Sequence, residues 1–377
     1  MSLPYAGAEV PHVLLDILRG CNVRCRACYN TEASHIKPMA EVMVEFEYAL
    51  SQRRLDCVTL LGGEPLLHPE LLDIARAIRS RGIRVAVFTN ALGLDLPRAR
   101  QLKEAGVELV VMHIEEQQGR QDLPDDRPDS LRRLREEKLA LLAEAGLDGG
   151  ISITAMPGQD REVREAMAFA LESPHLSFCL VTLCLETAEL PPLTGDITTG
   201  LRALGPVPMD TSDRPARIEA VLDILNGRMG DPFAVHESID GDPRWFSHLV
   251  ATVHQPGHAA HIRPLNPTWM EACLNRLMRW VRGRYFFYQP QRRRLQMMHL
   301  LLNGLAGGGL WRNFGVLRRA LRPETTMRVK RFLLQVPANL DAEGRLVYCR
   351  DCPDAVVRHG RLVPVCISDR VVRPPAS

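Results

Sequence analysis

The sequence predicts an α/β protein: a partial (β/α)6 barrel of the TIM type, then a helical region and a small C-terminal metal-binding extension. Short apolar runs alternate with amphipathic helical stretches, and glycines in "SRGIRV", "EAGVEL" and "EAGLDG" mark helix ends. Strands and helices that alternate at this length are typical of a parallel sheet. Six strands are too few to close an eight-stranded barrel, so we expect an open one.

The elements follow one another in a regular order. We predict strands at 13–18, 57–61, 84–88, 108–112, 150–155 and 177–183, and helices at 40–53, 69–81, 97–105, 130–145 and 161–172. Residues 1–190 are then the barrel, and a stretch rich in Pro, Gly and Thr predicts a linker at 191–215. A basic, mostly helical region at 216–335 and a short strand-like extension at 336–377 complete the prediction.

Composition and charge limit the class of protein. With 46% apolar and 24% charged residues, the chain is typical of a globular protein. No apolar run approaches the roughly 20 residues that span a bilayer, and the first residues lack a signal-peptide pattern. We therefore expect a cytoplasmic protein whose ten cysteines are reduced and serve as metal or cluster ligands. Residues 263–331 hold fifteen Lys and Arg but only two acidic residues, which indicates an anionic partner.

Three cysteines lie within eight residues directly after the first predicted strand. In "GCNVRCRACYN", Cys21, Cys25 and Cys28 follow the spacing C-x3-C-x2-C. Three thiolates on one loop can bind three irons of a [4Fe–4S] cluster and leave the fourth iron open. The neighbouring Arg24 and Arg26 favour thiolate formation. A structural zinc site is the alternative, and it would need a fourth ligand from elsewhere in the chain.

This triplet, followed by "GGEP" after the second strand, resembles the radical S-adenosylmethionine (SAM) superfamily over about residues 10–185. The resemblance implies that the three cysteines hold a [4Fe–4S] cluster whose open iron binds SAM. Two positions depart from the family pattern, Ala27 in place of an aromatic residue and Ala91 in place of glycine. The remaining SAM contacts that the resemblance implies are Gly62, Gly63 and Glu64 at the methionine amino group, Pro65 in the same turn, Thr89 and Asn90 of "FTNA", and Tyr29, Ile153 and Thr154 near the adenine.

The resemblance also implies a reaction. A reduced cluster cleaves SAM to methionine and a 5′-deoxyadenosyl radical, which takes a hydrogen atom from an unactivated C–H group. An external electron donor of the flavodoxin or ferredoxin type is implied as a partner. A non-catalytic iron–sulfur or zinc protein is the alternative from another class.

A second group of cysteines lies in the tail. In "YCRDCPDAVVRHGRLVPVC", Cys349 and Cys352 form a CxxC knuckle, and "RHGRLVP" predicts a hairpin that returns Cys366 to it. The segment resembles the extensions of auxiliary-cluster radical SAM proteins, in the branch that includes the tetraether lipid synthases. A second [4Fe–4S] cluster, a zinc knuckle and plain core thiols all remain open here. Cys273, Cys57 or the substrate could supply a fourth ligand.

The basic region combines arginines with aromatic residues. In "WMEACLNRLMRWVRGRYFFY", Leu274, Leu277, Met278 and Val281 form one apolar helix face. Such helices are typical of a membrane interface, and they also suit RNA, a lipid phosphate or a solvated face packed on the barrel. With the tail resemblance, this predicts a lipid or lipid-phosphate substrate and a peripheral position at the inner membrane surface. A ribosomal-peptide maturase and an RNA-modifying enzyme are the alternatives.

Overall fold

Six β/α units make up the first half of the protein. The computed structural model describes residues 5–28, 30, 35–184, 191–197, 200–203, 214–230, 232–265, 268–285, 287, 293–340 and 345–372. The strands are β1 (His12–Leu18), β2 (Cys57–Gly62), β3 (Arg84–Thr89), β4 (Val107–His113), β5 (Asp148–Ala155) and β6 (Leu176–Leu183). The helices are α1 (Met39–Gln52), α2 (Leu71–Ser80), α3 (Leu96–Glu104), α4 (Pro128–Glu144) and α5 (Asp160–Glu172). All six predicted strands and all five predicted helices are confirmed.

The six strands pair in sequence order, and every pair is parallel. Right-handed connections between strands in sequence order place all the helices on one face of the sheet. Val13, Leu15 and Ile17 of β1 accordingly pack with Val42 and Phe46 of α1 in one buried cluster. The alternate strand residues point to the opposite, inner face. This is the predicted open barrel, and the C-terminal ends of its strands meet at one edge.

Further strands extend this sheet beyond β6. Two short strands and a helix come first in the chain, β7 (Leu193–Asp196), β8 (Gly200–Ala203) and α6 (Arg214–Met229). The strands that extend the sheet are β9 (Phe233–Glu237), β10 (Pro243–His254), β11 (His261–Leu265) and β12 (Thr326–Gln335). β12 pairs with β6 in parallel, and β10 pairs antiparallel with β12. β9 and β11 pair antiparallel with different parts of the other edge of β10. The prediction of a mostly helical region at 216–335 missed these four strands. β10 is buried on both faces, so it lacks the alternation that marks a half-exposed strand.

Three helices lie at the N-terminal end of the parallel strands: α7 (Trp269–Arg282), α8 (Arg293–Asn303) and α9 (Leu310–Ala320). Arg284, just after α7, donates to the carbonyls of Leu55 at 3.0 Å and Gly82 at 2.9 Å, which precede β2 and β3. These helices are thus at the opposite end of the barrel from the cysteines that follow β1. Within the described ranges, no helix has both the length and the apolarity to cross a bilayer.

The C-terminal extension forms two hairpins, β13 (Asn339–Leu340) with β14 (Leu346–Val347) and β15 (Ala355–Arg358) with β16 (Arg361–Pro364). It covers the inner face of β1. His12 Nδ1 lies 3.0 Å from the carbonyl oxygen of Pro353. Val356 and Val365 pack on Leu14 in one buried cluster, and Arg358 forms an ion pair with Asp16. The hairpin predicted from "RHGRLVP" is the β15–β16 pair.

The segment predicted as a linker is partly structured. β7 and β8 form a hairpin, and the N–H of Leu193 donates to the carbonyl of Arg370 at 2.6 Å. Residues 198–199 and 204–213 lie outside the described residues. Part of the segment at 191–215 is thus packed against the C-terminal extension.

Candidate active site

The three cysteines of the first motif form a loop directly after β1. Cys21 and Cys28 are exposed, Cys25 is half-buried, and all three are free thiols. The N–H of Cys28 donates to the carbonyl of Cys25 at 3.3 Å, and the N–H of Arg24 donates to that of Gln118 at 2.9 Å. The loop is therefore fixed both to itself and to the segment after β4.

Side-chain amides donate toward two of the sulfurs. Gln118 Nε2 lies 3.3 Å from the Cys25 sulfur, and Asn90 Nδ2 lies 3.6 Å from the Cys21 sulfur. Such donors stabilise thiolates and cluster-bound sulfur. Burial raises the pKa of Cys21. Burial also opposes ionisation of Cys25, but hydrogen bonds from His113 and Gln118, with the His113 charge, bring the pKa of Cys25 below its usual value.

Two glycines at the end of β2 allow a close backbone approach beside the cysteine loop. A Cβ atom on Gly62 would lie 2.0 Å from the carbonyl oxygen of Leu18, and one on Gly63 would lie 2.0 Å from that of Gly20. Gly62 also has φ of +146°, a conformation that other residues rarely adopt. Only glycine therefore fits at these two positions, against the backbone that leads into the cysteine loop.

Glu64 joins the ends of β2 and β3 through a fully buried carboxylate. Oε1 accepts from the Thr89 hydroxyl at 2.6 Å and from the N–H of Leu66 at 2.9 Å. Oε2 accepts from the N–H of Asn90 at 2.7 Å. Burial raises the pKa of this carboxyl, while the hydrogen bonds counteract the rise. Pro65 begins the short turn that follows. The predicted contact of Glu64 with the SAM ammonium stays a prediction.

The "FTNA" turn holds Asn90 over the cysteine loop. Asn90 Nδ2 donates to Asn22 at 2.7 Å as well as facing the Cys21 sulfur, and Arg120 donates to the Asn90 carbonyl at 2.8 Å. Ala91 has φ of +60°, in the left-handed region where glycine is the default. The glycine of the family pattern is thus explained by this conformation, which Ala91 adopts at some conformational cost.

A polar group after β4 completes the site, and the sequence prediction missed it. His113 ends β4, and Gln118 donates toward both its carbonyl, at 3.2 Å, and the Cys25 sulfur. Burial opposes protonation of His113, but the Glu115 carboxylate and Cys25 raise its pKa to about 9. The signal was available, because polar residues after a barrel strand lie at the active edge of the sheet.

The residues predicted to contact the adenine do not all point to the inner face of the barrel. Ile153 packs in the helix-side cluster, so its side chain points away from the inner face. Thr154 is the alternate residue of β5, and its N–H donates to the Glu115 carboxylate. Any adenine contact of Ile153 would therefore use its backbone. Tyr29 lies outside the described residues.

The tail cysteines are close together beside β1. Cys349 and Cys352 are buried, and burial together with the nearby Cys349 thiol raises the pKa of Cys352 well above its usual value. The Cys366 sulfur accepts from the N–H of Ala338 at 3.5 Å. Burial raises the pKa of Cys366 to about 12, and Cys349 adds to the effect. Among the described residues, no three His, Cys, Asp or Glu side chains stand in metal-ligand geometry. Metal binding by either cysteine triplet therefore stays a prediction from donor chemistry.

Two buried arginines flank the tail cysteines. Arg53 donates to the carbonyls of His12 at 2.8 Å and Cys352 at 2.9 Å. Arg244 donates to the Pro337 carbonyl at 3.2 Å and to the Asn339 side chain. Burial lowers the pKa of Arg53 to about 10, and the charge of Cys352 opposes that change. A buried guanidinium favours a negatively charged neighbour, and a metal bound by thiolates is one.

Residues 15–170 match the sequence model of a known family, described as the radical SAM superfamily. This segment is a radical SAM domain. It contains the cysteine loop, the two glycines and the "FTNA" turn. The three free thiols, their amide donors and the glycine positions without room for a side chain fit a cluster with bound SAM.

Parts of this chain are similar to curated proteins. Fe-coproporphyrin III synthase of Methanosarcina barkeri is 30% identical over 112 residues, which are 29% of this chain and 28% of that protein. GTP 3′,8-cyclase of Streptomyces coelicolor is 28% identical over 228 residues, which are 52% of this chain and 65% of that protein. This chain thus spans less than two thirds of the length of these relatives.

Among solved structures, this chain is similar to Streptococcus suis SuiB bound to its precursor peptide SuiA. The two share 18% sequence identity, with a TM-score of 0.41. The similarity covers 60% of this chain and 47% of that one.

Proposed function

We propose that this protein is a radical SAM enzyme that abstracts a hydrogen atom from an unactivated C–H group of its substrate. The observation that carries the proposal is the free cysteine triplet after β1, packed against glycines that admit no side chain. A cluster bound there supplies the electron that cleaves SAM to methionine and a 5′-deoxyadenosyl radical. An external donor of the flavodoxin or ferredoxin type supplies that electron to the cluster.

The chain itself contributes binding and position. Cys21, Cys25 and Cys28 hold three irons, and the backbone at Gly62 and Gly63 receives the ammonium of SAM. Asn90 and Gln118 donate to the sulfurs and so tune the charge at the cluster. Glu64 would contact the SAM ammonium, and it also acts on the cluster indirectly, because its carboxylate accepts from the N–H of Asn90 and so fixes that residue.

The test is the formation of 5′-deoxyadenosine from SAM by anaerobically reconstituted protein with a strong reductant. Wild type should form 5′-deoxyadenosine. The Cys25→Ser variant should form it at least a hundredfold more slowly, since one of the three irons would lose its thiolate ligand. Cys273→Ser is the matched control, because Cys273 is an exposed cysteine on α7. A wild type that leaves SAM intact, or an active Cys25→Ser variant, would refute the proposal.

We propose a lipid or lipid phosphate as the substrate. Support comes from charge and from the inner face of the barrel. The fifteen basic residues at 263–331 suit the anionic headgroups of a membrane that would supply such a lipid. Phe88, Leu109, Phe178 and Leu180 give the inner face an apolar lining around a cavity of about 20 Å³, which would have to widen to admit an alkyl chain.

The substrate is tested with phosphatidylglycerol that carries perdeuterated acyl chains. Deuterium should enter 5′-deoxyadenosine, because the radical takes its hydrogen atom from the substrate carbon. Unlabelled 5′-deoxyadenosine with this lipid, and faster turnover with a peptide or tRNA, would assign another substrate class.

We propose further that Cys349, Cys352 and Cys366 bind a second metal centre, either a [4Fe–4S] cluster or zinc. The flanking Arg53 and Arg244 support an anionic centre at this place. A cluster there would transfer an electron to or from the substrate radical, or bind the substrate directly.

Metal content separates the two forms of the tail site. Iron, sulfide and zinc are measured for wild type and for Cys349→Ala/Cys352→Ala. About eight irons that fall to about four in the variant would mean two clusters. About four irons with one zinc, and loss of the zinc in the variant, would make the tail a structural clip. Equal metal content in both proteins would refute a tail site.

A further inference from the structure

Large apolar side chains are exposed on one part of the surface. Sixteen large hydrophobic residues are exposed among the described residues, and twelve of them lie between 269 and 321. Trp280 and Trp311 are 83% and 84% exposed, and Trp269 is 64% exposed. Exposed apolar side chains that are concentrated in one part of a chain are typical of an interaction site.

On each of the three helices, the exposed residues follow helical spacing. On α7, Trp269, Cys273 and Trp280 lie on one stripe, at steps of four and seven residues. On α8 and the turn after it, Met298, Leu301 and Leu305 follow steps of three and four. Each stripe is therefore one continuous side of its helix.

α9 repeats the pattern, with a covered side and an exposed side. Trp311 and Phe314 are exposed, whereas Asn313, Val316 and Ala320 are buried against the rest of the protein. We call the exposed stripes of α7, α8 and α9 the docking face. It is represented by Trp280, Met298, Leu301, Leu305, Trp311 and Phe314.

Exposed arginines surround the docking face. Arg276 on α7, Arg294 on α8 and Arg312 and Arg318 on α9 are all exposed. Aromatic and aliphatic stripes bordered by arginine are the pattern of helices that lie in a membrane interface. Basic residues near such a surface are attracted by anionic lipid headgroups.

Other occupants fit this face less well. A second copy of the chain would bring the arginines of both copies against each other, and like charges across an interface are unfavourable. RNA bases stack on aromatic rings, but they offer no partner for the aliphatic Met298, Leu301 and Leu305.

We propose that the docking face binds the surface of a membrane that contains anionic phospholipid. The proposal goes beyond SAM cleavage and names a partner for the same enzyme. The docking face lies at the N-terminal end of the strands, and the cysteine loop follows the C-terminal end of β1. Docking thus leaves the cluster loop on the aqueous side, where an electron donor can reach it.

The test is flotation of the full chain with phosphatidylcholine vesicles, with and without phosphatidylglycerol. We expect flotation with the anionic vesicles and a shift of tryptophan emission to shorter wavelength. Trp280→Ser/Trp311→Ser should lower the partition coefficient by about tenfold or more per tryptophan. Arg312→Gln/Arg318→Gln should lower it about fivefold per arginine. Val44→Ser is the matched control, because Val44 is 70% exposed on α1, away from this face.

Formation of 5′-deoxyadenosine without vesicles is measured in parallel. It should be equal in all these variants, so a failure of the docking proposal is distinct from a failure of SAM cleavage. Wild type that stays in solution with anionic vesicles would overturn the proposal. So would variants that float like wild type. A wild-type dimer that the tryptophan variants dissociate, without vesicle binding, would assign the face to a second copy.

Discussion

Glu64 shows how one buried carboxylate can set the geometry of a site that it does not need to touch. Its two oxygens accept from Thr89, Leu66 and Asn90, which belong to two different strand ends. Asn90 in turn faces the Cys21 sulfur. A change of the Glu64 side chain is therefore transmitted to the cysteine loop through Asn90, while the Glu64 N–H donates directly to the carbonyl of Gly20 at 2.9 Å.

Glu64→Gln tests this arrangement. The side-chain amide keeps the shape but presents a donor to the fixed N–H groups of Leu66 or Asn90. We expect a loss of about 1–3 kcal/mol in the free energy of unfolding. We also expect weaker SAM binding, because Asn90 is displaced. Urea unfolding and SAM titration measure the two effects, with the exposed Glu104→Gln as control. Unchanged values for both would contradict the assigned role.

The sequence predicted the site residues that stand in local motifs, and it missed those that reach the site through the fold. Cys21 and Gly62 belong to short patterns with their own spacing. Gln118 has no pattern of its own, and its contact with Cys25 depends on the register between distant strands. The prediction that Ile153 lies near the adenine rests only on its position in β5. The alternation of side chains along that strand turns the Ile153 side chain toward the helices.

At the scale of elements, β12 joins the barrel to the region after it. Lys330 of β12 is fully buried, and its ammonium donates to the carbonyls of Ala170, Leu171 and Ser173 at 2.6–2.8 Å. The last carbonyls of a helix lack partners within the helix. Lys330 thus caps α5 from a neighbouring strand. The charged residues of "MRVKRF" are also the reason that the sequence predicts a basic helical region here and not the strand β12.

Lys330→Met should destabilise the protein. The substitution leaves three carbonyls at the end of α5 without their donor, and we expect a loss of about 1–3 kcal/mol. Urea unfolding is the measurement. Lys103→Met is the control, since Lys103 is an exposed lysine in the last turn of α3, and its effect should stay within about 0.5 kcal/mol. Equal losses for the two variants would contradict the capping role.

At the scale of the whole molecule, the region after β6 and the N-terminal segment meet at a buried histidine. His236 of β9 lies with its ring centroid 5.8 Å from that of Tyr5. Burial, helped by the charge of Arg53, lowers the pKa of His236 to about 3. The folded protein therefore keeps His236 neutral at a pH where an unfolded chain protonates it.

The free energy of unfolding should consequently decrease as the pH is lowered. The folded pKa of about 3 lies below the unfolded value of 6.5, so the contribution is complete above pH 6.5 and is lost as the pH falls toward 3. Between pH 6.5 and 5, His236 alone should cost about 2 kcal/mol.

His236→Phe should remove this part of the pH dependence. Urea unfolding at neutral and mildly acidic pH measures the difference between variant and wild type. His258→Phe is the control, because His258 is exposed. If His236→Phe and wild type lose equal stability on acidification, His236 is not the group responsible.

The C-terminal extension covers the inner face of β1, and this contact sets the order in which the chain can fold during synthesis. His12 contacts Pro353, which is 341 residues further along the chain. At about 5–20 residues per second, the ribosome needs roughly 20–70 s to deliver that partner. During that time the inner side of the first strand stays open, and a chaperone can bind it. The barrel is thus first in the sequence but among the last parts to be completed.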